Sequence, residues 1–152
     1  MIDLSRYPSR CEPTQREIVS RDHRHPYCHV AHNPHGKSVL HYHMDGGVLP
    51  EGQTPKRCDF LLINQTDGDI YLIELKGGPA LLDGGQMDST ENLCRDSLRN
   101  LLGNPRFRYR FVMGNGRGVY SSAFLAWRDK KPRDSVITER GKGPRKSFEE
   151  VI

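Results

Sequence analysis

Residues 56–78, Lys-Arg-Cys-Asp-Phe-Leu-Leu-Ile-Asn-Gln-Thr-Asp-Gly-Asp-Ile-Tyr-Leu-Ile-Glu-Leu-Lys-Gly-Gly, constrain the fold more than any other stretch of the chain. Two apolar runs, Phe60–Ile63 and Ile70–Leu75, flank Gln65-Thr66-Asp67-Gly68. Runs this short, rich in β-branched and aromatic residues and bounded by turn formers, predict the two strands of a hairpin. Asp67-Gly68 favours the positive φ that a tight connection needs. Two registers are open. If Asp67 and Gly68 alone make the turn, Asp59 faces Lys76; if Gln65 to Gly68 form a four-residue loop, Asp59 faces Glu74. In either case Asp59, Glu74 and Lys76 share one face, because side chains alternate along a strand.

Two acids and a lysine at the end of an otherwise apolar hairpin need a physical reason. Buried charges are costly unless they are paired or bind a metal. Carboxylates within about 6 Å of each other repel, which raises the pKa of one of them. A divalent cation removes that repulsion, and Mg²⁺ prefers oxygen ligands. A nearby lysine then orients water or neutralises charge on a phosphate. The alternative is a salt-bridged hairpin in some other α/β protein.

At Asp59 and Glu74-Leu75-Lys76 the chain resembles the PD-(D/E)XK nuclease superfamily, whose pattern is an acid at the start of one core strand and (Asp/Glu)-x-Lys late in the next. Cys58 stands where that pattern has proline. A second acid-x-lysine, Asp129-Lys130-Lys131, lies in a polar stretch without strand context. The resemblance implies a restriction-endonuclease-like α/β fold: a mixed central β-sheet flanked by helices on both faces. It also implies a Mg²⁺-dependent deoxyribonuclease, with Mg²⁺ (or Mn²⁺) held by Asp59, Glu74 and the carbonyl of Leu75, and Lys76 assisting the water nucleophile. Glu17, on an expected first helix over residues 12–21, is a further candidate ligand. Gln86, ten residues beyond Lys76, is a candidate for orienting water or DNA. Nucleases of this kind imply DNA as partner, together with an ATPase, a sensor subunit or a second copy of the chain. A catalytically inactive nucleic-acid-binding or assembly subunit is the competing reading.

All seven histidines fall between His23 and His43, with Cys28 among them. Imidazole and thiolate are good zinc ligands, so a zinc-stabilised interaction module is a further alternative, although no familiar finger spacing is present. Asp22-His23, Gly46-Gly47 and Glu91-Asn92-Leu93-Cys94 share fragments with the His-Asn-His nuclease motif, but some 70 residues separate the first from the last, far more than that compact motif spans. Val39–Met44 alternates as a half-buried strand. Gly77-Gly78-Pro79 closes the hairpin, and residues 86–102 form a helix stopped by Gly103. Asn115-Gly116-Arg117-Gly118 is a loop, 119–127 a short helix and 136–138 a last strand.

Charge is strongly divided. Residues 1–94 hold 9 basic and 13 acidic side chains, and residues 95–146 hold 14 and 4. An acidic half beside a basic one suits a polyanionic partner. Residues 106–113 alternate strictly, with Phe107, Tyr109 and Phe111 on one face and Arg106, Arg108 and Arg110 on the other. The expectation is an exposed arginine stripe that grips phosphates, with Lys56 and Arg57 near Asp59 as further contacts. One domain over residues 1–146 is the natural count, ending in a flexible tail over 141–152. The chain has no run of about 18 apolar residues, and Met1–Arg6 lacks a signal-peptide pattern. A cytoplasmic location with reduced thiols is therefore expected.

Overall fold

The computed structural model describes residues 1–77, 80–114 and 118–152. A single 3₁₀ turn at Leu4–Arg6 precedes strands β1 (Glu17–Ser20), β2 (Cys28–His32), β3 (Val39–His43), β4 (Phe60–Asn64), β5 (Asp69–Lys76) and β6 (Ala80–Leu81). Helix α1 (Gly85–Leu102), β7 (Arg106–Met113), β8 (Gly118–Val119), helix α2 (Ser122–Asp129), β9 (Val136–Arg140) and β10 (Ser147–Val151) complete the order. The fold is mixed α/β, and none of its described helices is long and apolar enough to cross a membrane. The expected turn residues Gly78 and Pro79, and Asn115–Arg117 of the expected loop, lie outside the described residues.

The central sheet has the order β3-β4-β5-β7-β9, with β3-β4-β5 antiparallel and β5-β7-β9 parallel. Its centre is the expected hairpin. β4 pairs Phe60 with Ile73 and Asn64 with Asp69, so Gln65–Gly68 form the four-residue loop. The Asn64 side chain braces this loop: its Oδ1 accepts from the Asp67 N–H (3.1 Å), while Gly68 adopts φ +78°. Asp59 therefore faces Glu74.

Alternation divides the sheet into two apolar faces. Leu61, Ile63, Ile70, Leu72, Tyr109, Phe111 and Met113 pack against Met87, Cys94 and Leu98 of α1 and Phe124 of α2. Phe60, Leu62, Tyr71, Ile73, Leu75 and Val112 form the second core, with Ile18 and Ala31 of a smaller sheet of order β1-β2-β10. The expectation of helices on both faces is thus corrected. Both helices lie on one face, and a three-stranded sheet covers the other.

Two local differences produce this layering. The stretch expected as a first helix contains β1, in which Ile18 and Ser20 are buried while Glu17 and Val19 face outward. With only two adjacent apolar residues it has no stripe for a helix to bury, whereas period-two pairing with β2 buries Ile18 and satisfies its backbone. The end of the chain, expected to be a flexible tail, contains β10, which pairs parallel to β2. There Glu150 meets buried His29 and Arg110, partners too distant in sequence to be anticipated.

His41 sits between the two sheets, hydrogen-bonded to Ser20 (Nε2 to Oγ, 2.9 Å) and stacked on Phe60. Burial, reinforced by the positive charge of Arg10, pushes its pKa down to about 3. The folded state therefore keeps His41 neutral, while the unfolded chain takes up a proton near pH 6.5. Stability from this group is present above that value and is lost as pH falls towards 3, at up to about 1.4 kcal/mol per pH unit. Chemical denaturation at a series of pH values should show His41→Gln less sensitive to pH than wild type between 6.5 and 4.5. Parallel slopes for the two proteins would contradict a buried neutral imidazole.

Candidate active site

The C-terminal half of β5 carries the site. Asp59 is 3% exposed and Glu74 4% exposed, and the β4–β5 register sets them opposite each other, Asp59 just before β4 and Glu74 on β5. Two buried carboxyl groups this close disfavour a charge on both at once. Burial, and then the charge of Asp59, pushes the Glu74 carboxyl well above the usual carboxylate range. Burial raises Asp59 as well, opposed by the Leu75 N–H donated to its Oδ2 (2.8 Å). Glu74 Oε2 is buried without a hydrogen-bond partner. A buried acid with one orphaned oxygen, next to a second acid, is a costly arrangement.

Lys76 and Gln86 complete the group. Lys76 Nζ lies 3.9 Å from Glu74 Oε1 and donates to Gln86 Oε1 (3.0 Å). Gln86 also donates to the Arg57 carbonyl (3.4 Å), which ties the first turn of α1 to the entry of β4. The structure therefore brings together four of the sequence candidates, Asp59, Glu74, Lys76 and Gln86. Leu75 lies between the two charged β5 residues, its N–H on Asp59 and its side chain in the second core.

Other candidates lie elsewhere. Glu17 is on β1, ion-paired with Arg145 and 4.0 Å from His32. Arg57 is 3% exposed and donates to the carbonyls of Pro50, Gln53 and Pro55, so it clamps the loop before β4. Lys56 is exposed. The arginines of β7 do not form an exposed stripe. They point to the face covered by the smaller sheet, opposite Glu74 and Lys76, because β7 pairs Arg110 with Ile73 and Phe111 with Glu74. Arg110 is buried in a bidentate pair with Glu150, and Asp69 pairs with Arg106 (2.9 Å) and lies 3.7 Å from Arg108. The strict alternation was correctly legible, but which face met solvent depended on β10.

Sequence reasoning missed Arg24. Its guanidinium meets Asp22 (2.8 Å), Asp59 (2.9 Å), Asp45 (3.2 Å) and Glu51 (3.3 Å). Four carboxylates on one cation, with Glu74 adjoining, make this end of the sheet a strongly acidic locus. The only local signal was Asp22-His23-Arg24-His25, which reads as part of the histidine cluster. Those histidines disperse: His29 bonds Glu150, His32 bonds Glu149, and His41 bonds Ser20. Among the described residues no three His, Cys, Asp or Glu side chains are grouped so as to hold a metal ion, neither around the histidines nor around Asp59 and Glu74.

Two adjacent carboxylates do suit a hard cation. The orphaned Glu74 oxygen and the carboxylate of Asp59 are the kind of donors that Mg²⁺ or Mn²⁺ prefers, and these two side chains would hold such an ion. Compared with protein-family models, curated proteins and solved structures, the chain has no significant match.

Proposed function

We propose that this protein is a metal-dependent nuclease that hydrolyses phosphodiester bonds, with DNA as the substrate, on a restriction-endonuclease-like variant of the α/β plan. The observation that carries this reading is the buried Asp59–Glu74 carboxyl pair, with its unpartnered Glu74 oxygen and Lys76 beside it. Asp59 and Glu74 would hold the Mg²⁺ or Mn²⁺, helped by the Leu75 carbonyl that the family resemblance implies. When bound, the cation supplies an acidified water and charge stabilisation at phosphate.

The chain's own groups account for the rest. Glu74, whose pKa burial raises, would have to be deprotonated to hold the cation. Lys76, held by Gln86, keeps its ammonium 3.9 Å from Glu74, where it can orient water or neutralise charge developing on a phosphate oxygen. Gln86 sets the Lys76 position through the Arg57 carbonyl. The test is a panel of labelled DNA and RNA substrates incubated with Mg²⁺ or Mn²⁺. Cleavage that needs the cation supports the reading, and a complete lack of it on every substrate rejects it.

Arg24 favours a second reading, a nucleic-acid-binding subunit without catalysis. Its guanidinium already satisfies Asp59, as a purely structural ion-pair network would. Under that reading metal changes neither stability nor cleavage. Under the first, the cation competes with Arg24 for Asp59.

A further inference from the structure

We infer that Arg140, with the adjoining turn of residues 141–146, binds the sugar–phosphate backbone beside the reacting phosphodiester, an inference that rests on the nuclease reading for the location of that bond. The parallel strands β5, β7 and β9 end in register: Lys76 pairs with Met113, and Met113 with Arg140. Residues level with one another in parallel strands point to the same face, and Met113 packs in the helix-side core. Arg140 therefore stands on the face of Lys76, two strand spacings or about 10 Å away. The ends of parallel strands are where open α/β sheets bind ligands.

The surroundings support the placement. Gly141 N–H donates to the Met113 carbonyl (2.9 Å), and Gly114 N–H to that of Lys76 (2.7 Å), so the three strand ends are locked side by side. The 141–146 turn packs on the loop that carries Arg24. Arg21 donates to the Arg145 carbonyl (3.5 Å) and the Cys28 N–H to that of Lys146 (3.2 Å). The same loop reaches Gly77, where a Cβ would lie 3.0 Å from His25 Nδ1. One continuous rim thus runs from Lys76 through the loop to the turn. Arg140, Lys142 and Lys146 on that rim are exposed and, among the described residues, have no carboxylate partner.

That contrast selects them. Arg106 and Arg110 of the same basic half are neutralised by Asp69 and Glu150 on the other face, whereas the rim holds uncompensated cations beside an acidic locus. Uncompensated positive charge next to a carboxylate site lets a polyanion approach a centre that would otherwise repel it. Such contacts fix position and carry no base information.

The test is binding of a short fluorescent DNA duplex, without metal, at a series of salt concentrations from about 50 mM upward. Arg140→Ala should weaken binding about fivefold and lower the salt slope by about one. Arg140→Ala with Lys142→Ala should do more. Arg16→Ala, the same charge change just before β1 at a side chain bonded to the Pro34 carbonyl, should leave both unchanged. Circular dichroism checks that each variant folds. Wild-type affinity in the Arg140 variants, equal weakening by Arg16→Ala, or no DNA binding by wild type at low salt would each overturn the inference. DNA binding that depends on Arg140 in a protein that cleaves nothing would instead reject the nuclease reading and leave this surface standing.

Discussion

Lys76→Ala is expected to lower cation-dependent cleavage of DNA at least about a hundredfold, the scale on which removing one charge-stabilising or proton-handling group acts. The ammonium lies 3.9 Å from Glu74 and is held by Gln86, and no other lysine or arginine contacts Glu74 among the described residues. The loss should appear in kcat rather than KM, because Lys76 acts on charge that develops during reaction. Asp59→Asn should be comparably inactive for a different reason: the amide can still accept from the Leu75 N–H, but it is a poor ligand for a hard cation. Both variants should melt cooperatively with native circular dichroism. Single-turnover cleavage of labelled DNA checks the prediction, and a Lys76→Ala protein as fast as wild type would remove lysine from the mechanism.

Arg110→Ala should destabilise the protein by about 3–5 kcal/mol, because it leaves Glu150 charged and partly buried without its bidentate partner. For a chain of this size that amounts to a fall in Tm of about 10 °C. Arg110 also donates to the carbonyls of Tyr109 and Ser135 and lies 5.3 Å over the Tyr71 ring, so its removal loosens the packing of the smaller sheet on the central one. Burial works to raise the Glu150 carboxyl, but hydrogen bonds from His29 and Arg110 outweigh it and hold the group below the usual range. This stabilisation is therefore present above the ordinary glutamate pKa and is lost as pH falls through the lowered one. The gap between wild type and variant should close in acid. Urea denaturation at neutral and acidic pH measures it, and a neutral-pH change under about 1 kcal/mol would mean that the pair is not formed in solution.

The hairpin was legible because its information is local. Turn residues, period-two alternation and short apolar runs all lie within residues 56–78, although the choice between the two registers was not legible there and is set by contacts of the 65–68 loop, some of them with the residue before β3 and with β7. The β7 segment was legible from its strict alternation and α1 from its glycine stop at Gly103, although α1 buries Met87, Thr90, Cys94, Ser97 and Leu98 and leaves Leu101 exposed. The smaller sheet was not. Ile18 and Val19 gave no decisive period, and the residues of β10 looked like a polar tail until Glu149 and Glu150 met His32 and His29 from over a hundred residues away. The arginines of β7 were misplaced through the same long-range pairing, since period two states that two faces differ but not which one meets water. Arg24 escaped notice because a charged loop residue carries no pattern. Its role depends on Asp22 of its own loop and on Asp45, Glu51 and Asp59 of the connection between β3 and β4.

The claim on which the account stands is that the Asp59–Glu74 pair is kept for a hard divalent cation, and Mn²⁺ titration followed by both calorimetry and thermal melting tests it most directly. Wild type should bind Mn²⁺ and melt higher with it. Glu74→Gln should lose that binding and that shift, yet melt higher than wild type in the absence of metal at neutral pH, because a carboxyl whose pKa is raised by burial destabilises the fold once pH passes its unfolded value. Equal Mn²⁺ binding by wild type and Glu74→Gln, or none by either, would contradict the account.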